Sequence, residues 1–153
     1  MSDDPLARAL LDAIEHLRAD SGTIHIKEPG RLLLRLAASH GIPEPVLAVV
    51  REVPWGKGMA GLAAERARPV DACNLQTDSS GDVRPGARAT GLQGAIVVPL
   101  LQGDRVVGTL GVGCRVERSF SAEETDWLLE HGRRFAATLP TTMVDSAPRR
   151  ESQ

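Results

Sequence analysis

Gly94-Ala-Ile-Val-Val-Pro-Leu-Leu-Gln-Gly-Asp-Arg-Val-Val-Gly-Thr-Leu-Gly-Val-Gly113 is the stretch on which the fold turns. Two β-branched runs flank Gln102-Gly103-Asp104, which reads as a β-hairpin whose turn takes its positive φ from glycine. Glycines at 108, 111 and 113 thin the second run, so a neighbouring backbone or a ligand is expected to approach it closely. Downstream, Ser121-Ala-Glu-Glu124 is a capping box, in which the serine oxygen meets one orphan amide and the glutamate reaches back to another. It opens a final helix with Trp127, Leu128, His131 and Phe135 on its apolar face.

Upstream, Leu6, Leu10, Leu11, Ile14 and Leu17 recur at three- and four-residue spacing, the mark of an amphipathic helix that Ser21-Gly22 ends. Thr23-Ile24-His25-Ile26-Lys27 alternates and is β-branched, as a half-buried strand should be. Glu28-Pro29-Gly30 is a turn, and the apolar run Leu32 to Ala38 completes a second hairpin. Pro43 to Val53 reads as a short helix, although its valines also suit a strand. Gly56-Lys57-Gly58 breaks the chain ahead of the small-residue helix Met59 to Ala67, and Pro69 to Cys73 begins a short strand. Asn74 to Gly91 has almost no apolar content and is a candidate lid. The expected organisation is a loose start at 1–4, one α+β domain over 5–138, and a disordered tail over 139–153.

Composition excludes several functions. Of 153 residues, 42% are hydrophobic and 25% charged, which is ordinary for a globular domain. A net charge of −2 argues against a basic nucleic-acid-binding domain. Aromatics make up 3%, namely Trp55, Trp127, Phe120 and Phe135, too few for a base-stacking platform. Two cysteines, Cys73 and Cys114, cannot build a disulfide scaffold or a four-cysteine zinc site. No apolar run is long enough to span a membrane, and the acidic start lacks the pattern of a signal peptide, so a cytoplasmic location is expected.

Gly58-Met-Ala-Gly61 ahead of a small-residue helix resembles the GAF domain, the small-molecule sensor module of bacterial signalling proteins. Ala95-Ile-Val-Val-Pro-Leu-Leu with Gly103-Asp-Arg-Val-Val-Gly-Thr-Leu-Gly-Val-Gly, and Phe120-Ser-Ala-Glu-Glu, carry the same resemblance, which covers roughly residues 5 to 137. It implies a central antiparallel sheet of five to six strands, with terminal helices on one face and a ligand pocket on the other. Members of the family bind cyclic nucleotides, tetrapyrroles, small anions or amino-acid derivatives, and fold alone does not choose among these.

One branch, the free methionine-(R)-sulfoxide reductases, is enzymatic, and Gly56-Lys-Gly-Met-Ala-Gly61 resembles its Gly-Lys-Gly-Val-Cys-Gly. Ala60 replaces the thiol here. The branch's Cys-Asp pair falls near Arg88-Ala89, again without sulfur. Cys73 and Cys114 lie in expected strands, where a buried thiol acts as a small hydrophobe. No enzymatic activity and no catalytic residue are therefore expected. Bilin has no cysteine on the pocket side, and none of His16, His25, His40 or His131 reads as a haem ligand. His25 falls on the strand face opposite Ile24 and Ile26. No cofactor and no metal are expected, since no cluster has ligand spacing. The Asn-Lys-Phe-Asp-Glu pattern of cyclic-nucleotide-binding members is absent.

What remains is a small ligand held by backbone amides. The turn ahead of Met59, Ala60, Gly61 and Leu62 delivers the chain into a helix N-terminus, where unpaired N–H groups and a positive dipole suit an anion or carboxylate. Trp55 offers an indole N–H and an apolar wall, and the stand-alone nitrate receptors of the family give the resemblance a precedent. The competing reading is that Gly58 and Gly61 serve tight packing and that Trp55 belongs to the core. Asp78, Arg84 and Arg88, with Asp71 and Asp82, are expected to latch the lid or to read an amphoteric ligand. The stripe Leu6, Leu10, Ile14 and Leu17 with Leu128 and Phe135 is a candidate homodimer interface, unless those side chains are spent against the sheet. The expected function is a non-enzymatic sensor of a small molecule, with no nucleic acid or membrane partner, signalling through a separate protein. The alternatives are a thiol reductase and a ligand-free dimerisation or interaction module.

Overall fold

The structure, a computed structural model, describes residues 4–76 and 91–139. Helix α1 spans Pro5–Leu17, started by the Asp4 side chain accepting from the Leu6 amide, with proline in its first turn, where no amide donor is missed. Strands β1 (Ser21–Lys27) and β2 (Leu33–His40) follow, then α2 (Glu44–Val50), β3 (Glu52–Pro54), α3 (Gly58–Arg66) and β4 (Val70–Ala72). The hairpin β5 (Gly94–Gln102) and β6 (Arg105–Cys114) and the helix α4 (Ala122–Ala136) complete the described chain. Gly103 takes φ +62° in the hairpin turn, as its position required. Ser121 and Glu124 close the capping box reciprocally, at 3.0 Å and 2.9 Å.

All six strands form one antiparallel sheet in the order β3-β2-β1-β6-β5-β4, so the architecture is α+β as expected. The helix expected over 43–53 ends early. Residues 52–54 leave it and pair with Leu33 to Arg35 as the edge strand β3, a choice made by tertiary pairing and not by local propensity.

One face of the sheet is sealed by α1 and α4. Ile24, Ile96, Val98, Leu100 and Leu110 pack there against Leu10, Ile14, Leu17, Leu128 and Phe135. These helix side chains are 0–8% exposed, so the stripe expected to serve a dimer is consumed by the protein's own core. What the two helices present outward is a stack. The rings of His16 and Trp127 lie 3.7 Å apart and those of Trp127 and His131 lie 4.7 Å apart, nearly parallel in both pairs.

Arg118 fastens this layer. Its guanidinium donates to the Leu17 carbonyl at the end of α1 (2.6 Å), to the Glu124 carboxylate in α4 (2.6 Å) and to Cys114 Sγ (3.2 Å), and it lies 4.5 Å over the Phe120 ring. The Glu124 carboxyl is held below its ordinary range, first by the Ser121 amide and then by Arg118. No helix among the described residues is long and apolar enough to cross a membrane.

Candidate ligand-binding site

The other face lies under α2 and α3, and its centre is polar. On β1 the side chains of Ser21, Thr23, His25 and Lys27 point there, because Ile24 and Ile26 alternate toward α1 and α4. Across from them on β6, His25 stands opposite Thr109 and Thr23 opposite Gly111, while Leu36 of β2 flanks His25 on the other side. Ser21, His25 and Thr109 are the buried polar residues among those described, at 1%, 3% and 1% exposure. β1 is thus no half-buried strand but a central one covered on both faces. Thr23 and Val97 nevertheless stay half-exposed although β1 and β5 both lie inside the sheet, so α2 and α3 leave the middle of this face partly open.

The glycines of β6 have a different use from the one expected. A Cβ at Gly108 would stand 2.2 Å from the His25 carbonyl oxygen, so β1 itself occupies that space. Val97 fills the place over Gly111 and Leu92 that over Gly113, at 3.0 Å and 2.7 Å. Neighbouring strand and loop groups, and no vacancy, explain these glycines.

His25 is the singular group of the face. Its Nε2 lies 2.8 Å from the carbonyl oxygen of Val50, the last residue of α2. A carbonyl only accepts, so Nε2 carries the proton and clamps α2 to the sheet. Burial is the main influence on the ring and lowers its pKa below the usual 6.5, with the Val50 carbonyl opposing in part. The ring is then neutral at neutral pH, and Nδ1 is a bare acceptor. Nothing among the described residues donates to it, and Ser21 Oγ on the same face is likewise buried without a partner.

The unfolded chain binds a proton at His25 below about pH 6.5 and the folded chain resists it. Stability supported by the neutral ring is therefore whole above that value and falls on acidification, by up to about 1.4 kcal/mol per pH unit. Urea unfolding between about pH 7 and about pH 5 should show this component in the native protein and not in His25→Gln. Equal slopes would exclude His25 as its source.

Of the predicted site residues, Met59 and Ala60 lie in the first turn of α3, and they face different neighbours. Met59 packs with Ala72, Leu75, Leu92, Ala95 and Ile42. Ala60 packs beside Trp55 against Leu34, Val53, Ala64 and Val106, which makes Trp55 a half-buried member of that cluster. Gly61 is buried, and its amide already donates to the Lys57 carbonyl (3.1 Å), while its own carbonyl accepts from Gly56 N–H (2.9 Å). Leu62 lies one residue further into the helix and is half-buried. The amides of the helix start that have no helical acceptor ahead of them belong to Gly58, Met59 and Ala60. Asp78, Arg84 and Arg88, like Asp82, lie outside the described residues.

The two cysteines divide. Cys114 is buried as expected, but its Sγ sits beside Arg118 on the α1 and α4 side, away from the polar face. Cys73 is exposed just past β4, so the expectation of a buried strand thiol fails there. No cluster of three or more metal-ligating side chains occurs among the described residues. Sequence reading placed His25 on the correct face but did not single out Thr23 and Thr109 beside it. The available signal was the polar alternation Ser21, Thr23, His25 and Lys27, which acquires meaning only once both faces of β1 are known to be covered.

Comparison with known proteins decides the family. The family model of the GAF domain matches residues 2–139. The chain belongs to the GAF family. Solved structures agree in fold. The GAF domain of a phosphoenolpyruvate-protein phosphotransferase from Coxiella burnetii superposes with a TM-score of 0.72 at 21% identity, over 86% of this chain and 78% of that one. A type II free methionine-R-sulfoxide reductase from Thermoplasma acidophilum gives 0.67 at 20% identity, over 86% of each chain. A GAF domain/HD domain protein from Geobacter sulfurreducens gives 0.71 at 15% identity, over 88% and 89%. No protein of curated function matches by sequence. At these identities the likeness establishes the fold of this GAF domain and leaves its ligand to its own residues.

Proposed function

We propose that this GAF domain is a non-enzymatic receptor for a small molecule, bound between the sheet and helices α2 and α3, and that it signals through a separate protein. The observation that carries the reading is the centre of that face, where buried polar side chains at Ser21, His25 and Thr109 surround the half-exposed Thr23 and Val97. A sheet centre closed for packing alone would be apolar and sealed. The start of α3 adds the Gly58, Met59 and Ala60 amides for an acidic ligand group. Trp55 walls that end, and Asp78, Arg84 and Arg88 are proposed to close over the ligand. The outer surface of α1 and α4, with its His16–Trp127–His131 stack, is the proposed contact for the partner or for a second copy in a cytoplasmic homodimer.

The fold is shared with methionine sulfoxide reductases, so the thiol chemistry is the reading to weigh against this one. Ala60 occupies the turn where the resemblance expects sulfur, and the Cys114 thiol lies on the opposite side of the sheet. A ligand-free interaction module is favoured by Val97 and Leu92 filling the space over Gly111 and Gly113.

Thermal unfolding separates receptor from module, since a ligand bound only to the folded state raises stability as RT ln(1 + [L]/Kd). Millimolar nitrate, nitrite, acetate and glycolate should be compared with chloride at equal ionic strength. A saturable rise in midpoint with at least one of them is expected. Uniform midpoints would favour the module.

A further inference from the structure

We infer that the ligand of the α2 and α3 face carries a neutral N–H or O–H group that donates to Nδ1 of His25. This rests on the receptor reading above and names the chemistry that reading leaves open. The Val50 carbonyl, 2.8 Å from Nε2, fixes the tautomer and leaves Nδ1 a lone pair that only a donor can satisfy. His25 is 3% exposed, and no described residue donates to Nδ1. A buried acceptor without a partner is rare in folded proteins and marks a place where something else completes the hydrogen bonding.

The surroundings decide the charge of that group. The neighbours of His25 on its own face are Thr23 and Lys27 along β1, Leu36 on β2 and Thr109 on β6. None of these is a carboxylate, so these strand neighbours offer no counter-charge to an ammonium group on the ligand. An amide, a hydroxyl or a heterocyclic N–H needs none. One hydrogen bond of this kind supports up to roughly tenfold discrimination against an analogue that cannot donate.

The test uses probe pairs in which methylation removes the donor: glycolate against methoxyacetate, and propionamide against N,N-dimethylpropionamide. Binding is followed by thermal midpoint and by the imidazole nitrogen resonances of His25 in a ¹⁵N-labelled sample. The donor-bearing member of at least one pair should bind up to roughly tenfold more tightly and move the Nδ1 resonance while Nε2 stays protonated. Glutamine at this position places an amide nitrogen near Nε2 and no acceptor near Nδ1. His25→Gln should therefore keep the fold and lose the discrimination, whereas His25→Asn, which keeps an acceptor near Nδ1, should retain part of it. Equal stabilisation by both members of each pair with an unmoved Nδ1 overturns this inference and leaves the receptor reading intact. A protonated Nδ1 in the ligand-free protein overturns it outright. No response to any of the four compounds overturns this inference, and together with uniform midpoints in nitrate, nitrite and acetate it overturns the receptor reading as well.

Discussion

Gly61→Ala should destabilise the protein by about 3 kcal/mol, against the usual trend for glycine in a helix. In a free helix interior the change would stabilise by about 1 kcal/mol, because alanine has less backbone freedom to lose. Here a Cβ would stand 2.4 Å from the Pro54 carbonyl oxygen and 3.0 Å from the Gly56 nitrogen. Both are backbone atoms, held by the Lys57 N–H to Pro54 carbonyl bond (3.1 Å) and the Gly56 N–H to Gly61 carbonyl bond (2.9 Å). No side chain can rotate away, so either α3 lifts off or the end of β3 moves, and overpacking wins over propensity. The urea midpoint should fall with little change in slope. An unchanged or raised midpoint would show that the turn yields freely, and the tight seat of α3 against β3 would have to be abandoned. The same variant separates two uses of this glycine. The amide is already bonded within the helix, so any loss of ligand response in Gly61→Ala should follow its loss of stability and vanish where the variant is fully folded.

Arg118→Ala should cost about 2–3 kcal/mol, more than a surface ion pair would. The reason lies in what is stranded. The Leu17 carbonyl ends α1 and loses its donor, the Glu124 carboxylate loses a charged partner, and Phe120 loses the guanidinium above its ring. Arg118 is 20% exposed and Glu124 35%, so solvent recovers part of the loss at the carboxylate and little at the arginine. Arg118→Lys should restore less than half, because an ammonium cannot serve Leu17, Glu124 and the ring from one planar fork. Glu124→Gln keeps the reach back to the Ser121 amide and removes the charge, and it should sit between wild type and Arg118→Ala. Chemical denaturation of the three variants gives the order, and a neutral Arg118→Ala would refute the role of Arg118 as a joint among α1, β6 and α4. Because the Glu124 carboxyl is held below its ordinary range, its share of this stability is present at neutral pH and is lost as pH falls through that lowered value.

The parts of the fold that could be read from the sequence are those whose causes are local. The 94–113 hairpin announces itself by two β-branched runs around a glycine turn, and the last helix by a serine and a glutamate three residues apart. β3 could not be read, because three residues carry no period and their strand character comes from pairing with Leu33 to Arg35. The β6 glycines were legible as close approaches, but their visitors are the backbone of β1 and the side chains of Leu92 and Val97, up to 83 residues distant in sequence (Gly108 to His25, 108 − 25). His25 is the clearest case. Alternation puts it on its face, yet its tautomer and its orphan nitrogen are set by Val50, 25 residues away. Arg118 could not be singled out from the sequence, since its partner Leu17 lies 101 residues away and reaches it only when the core closes.

Among the described residues both margins of the sheet are three-residue strands, β3 and β4, and the longer strands lie inside. β3 and β4 themselves each offer a visiting strand no more than three rungs, and Pro54 removes an amide from one of them. Edge-to-edge addition of a second copy at β3 or β4 would therefore be short-lived, since three rungs hold a visiting strand weakly.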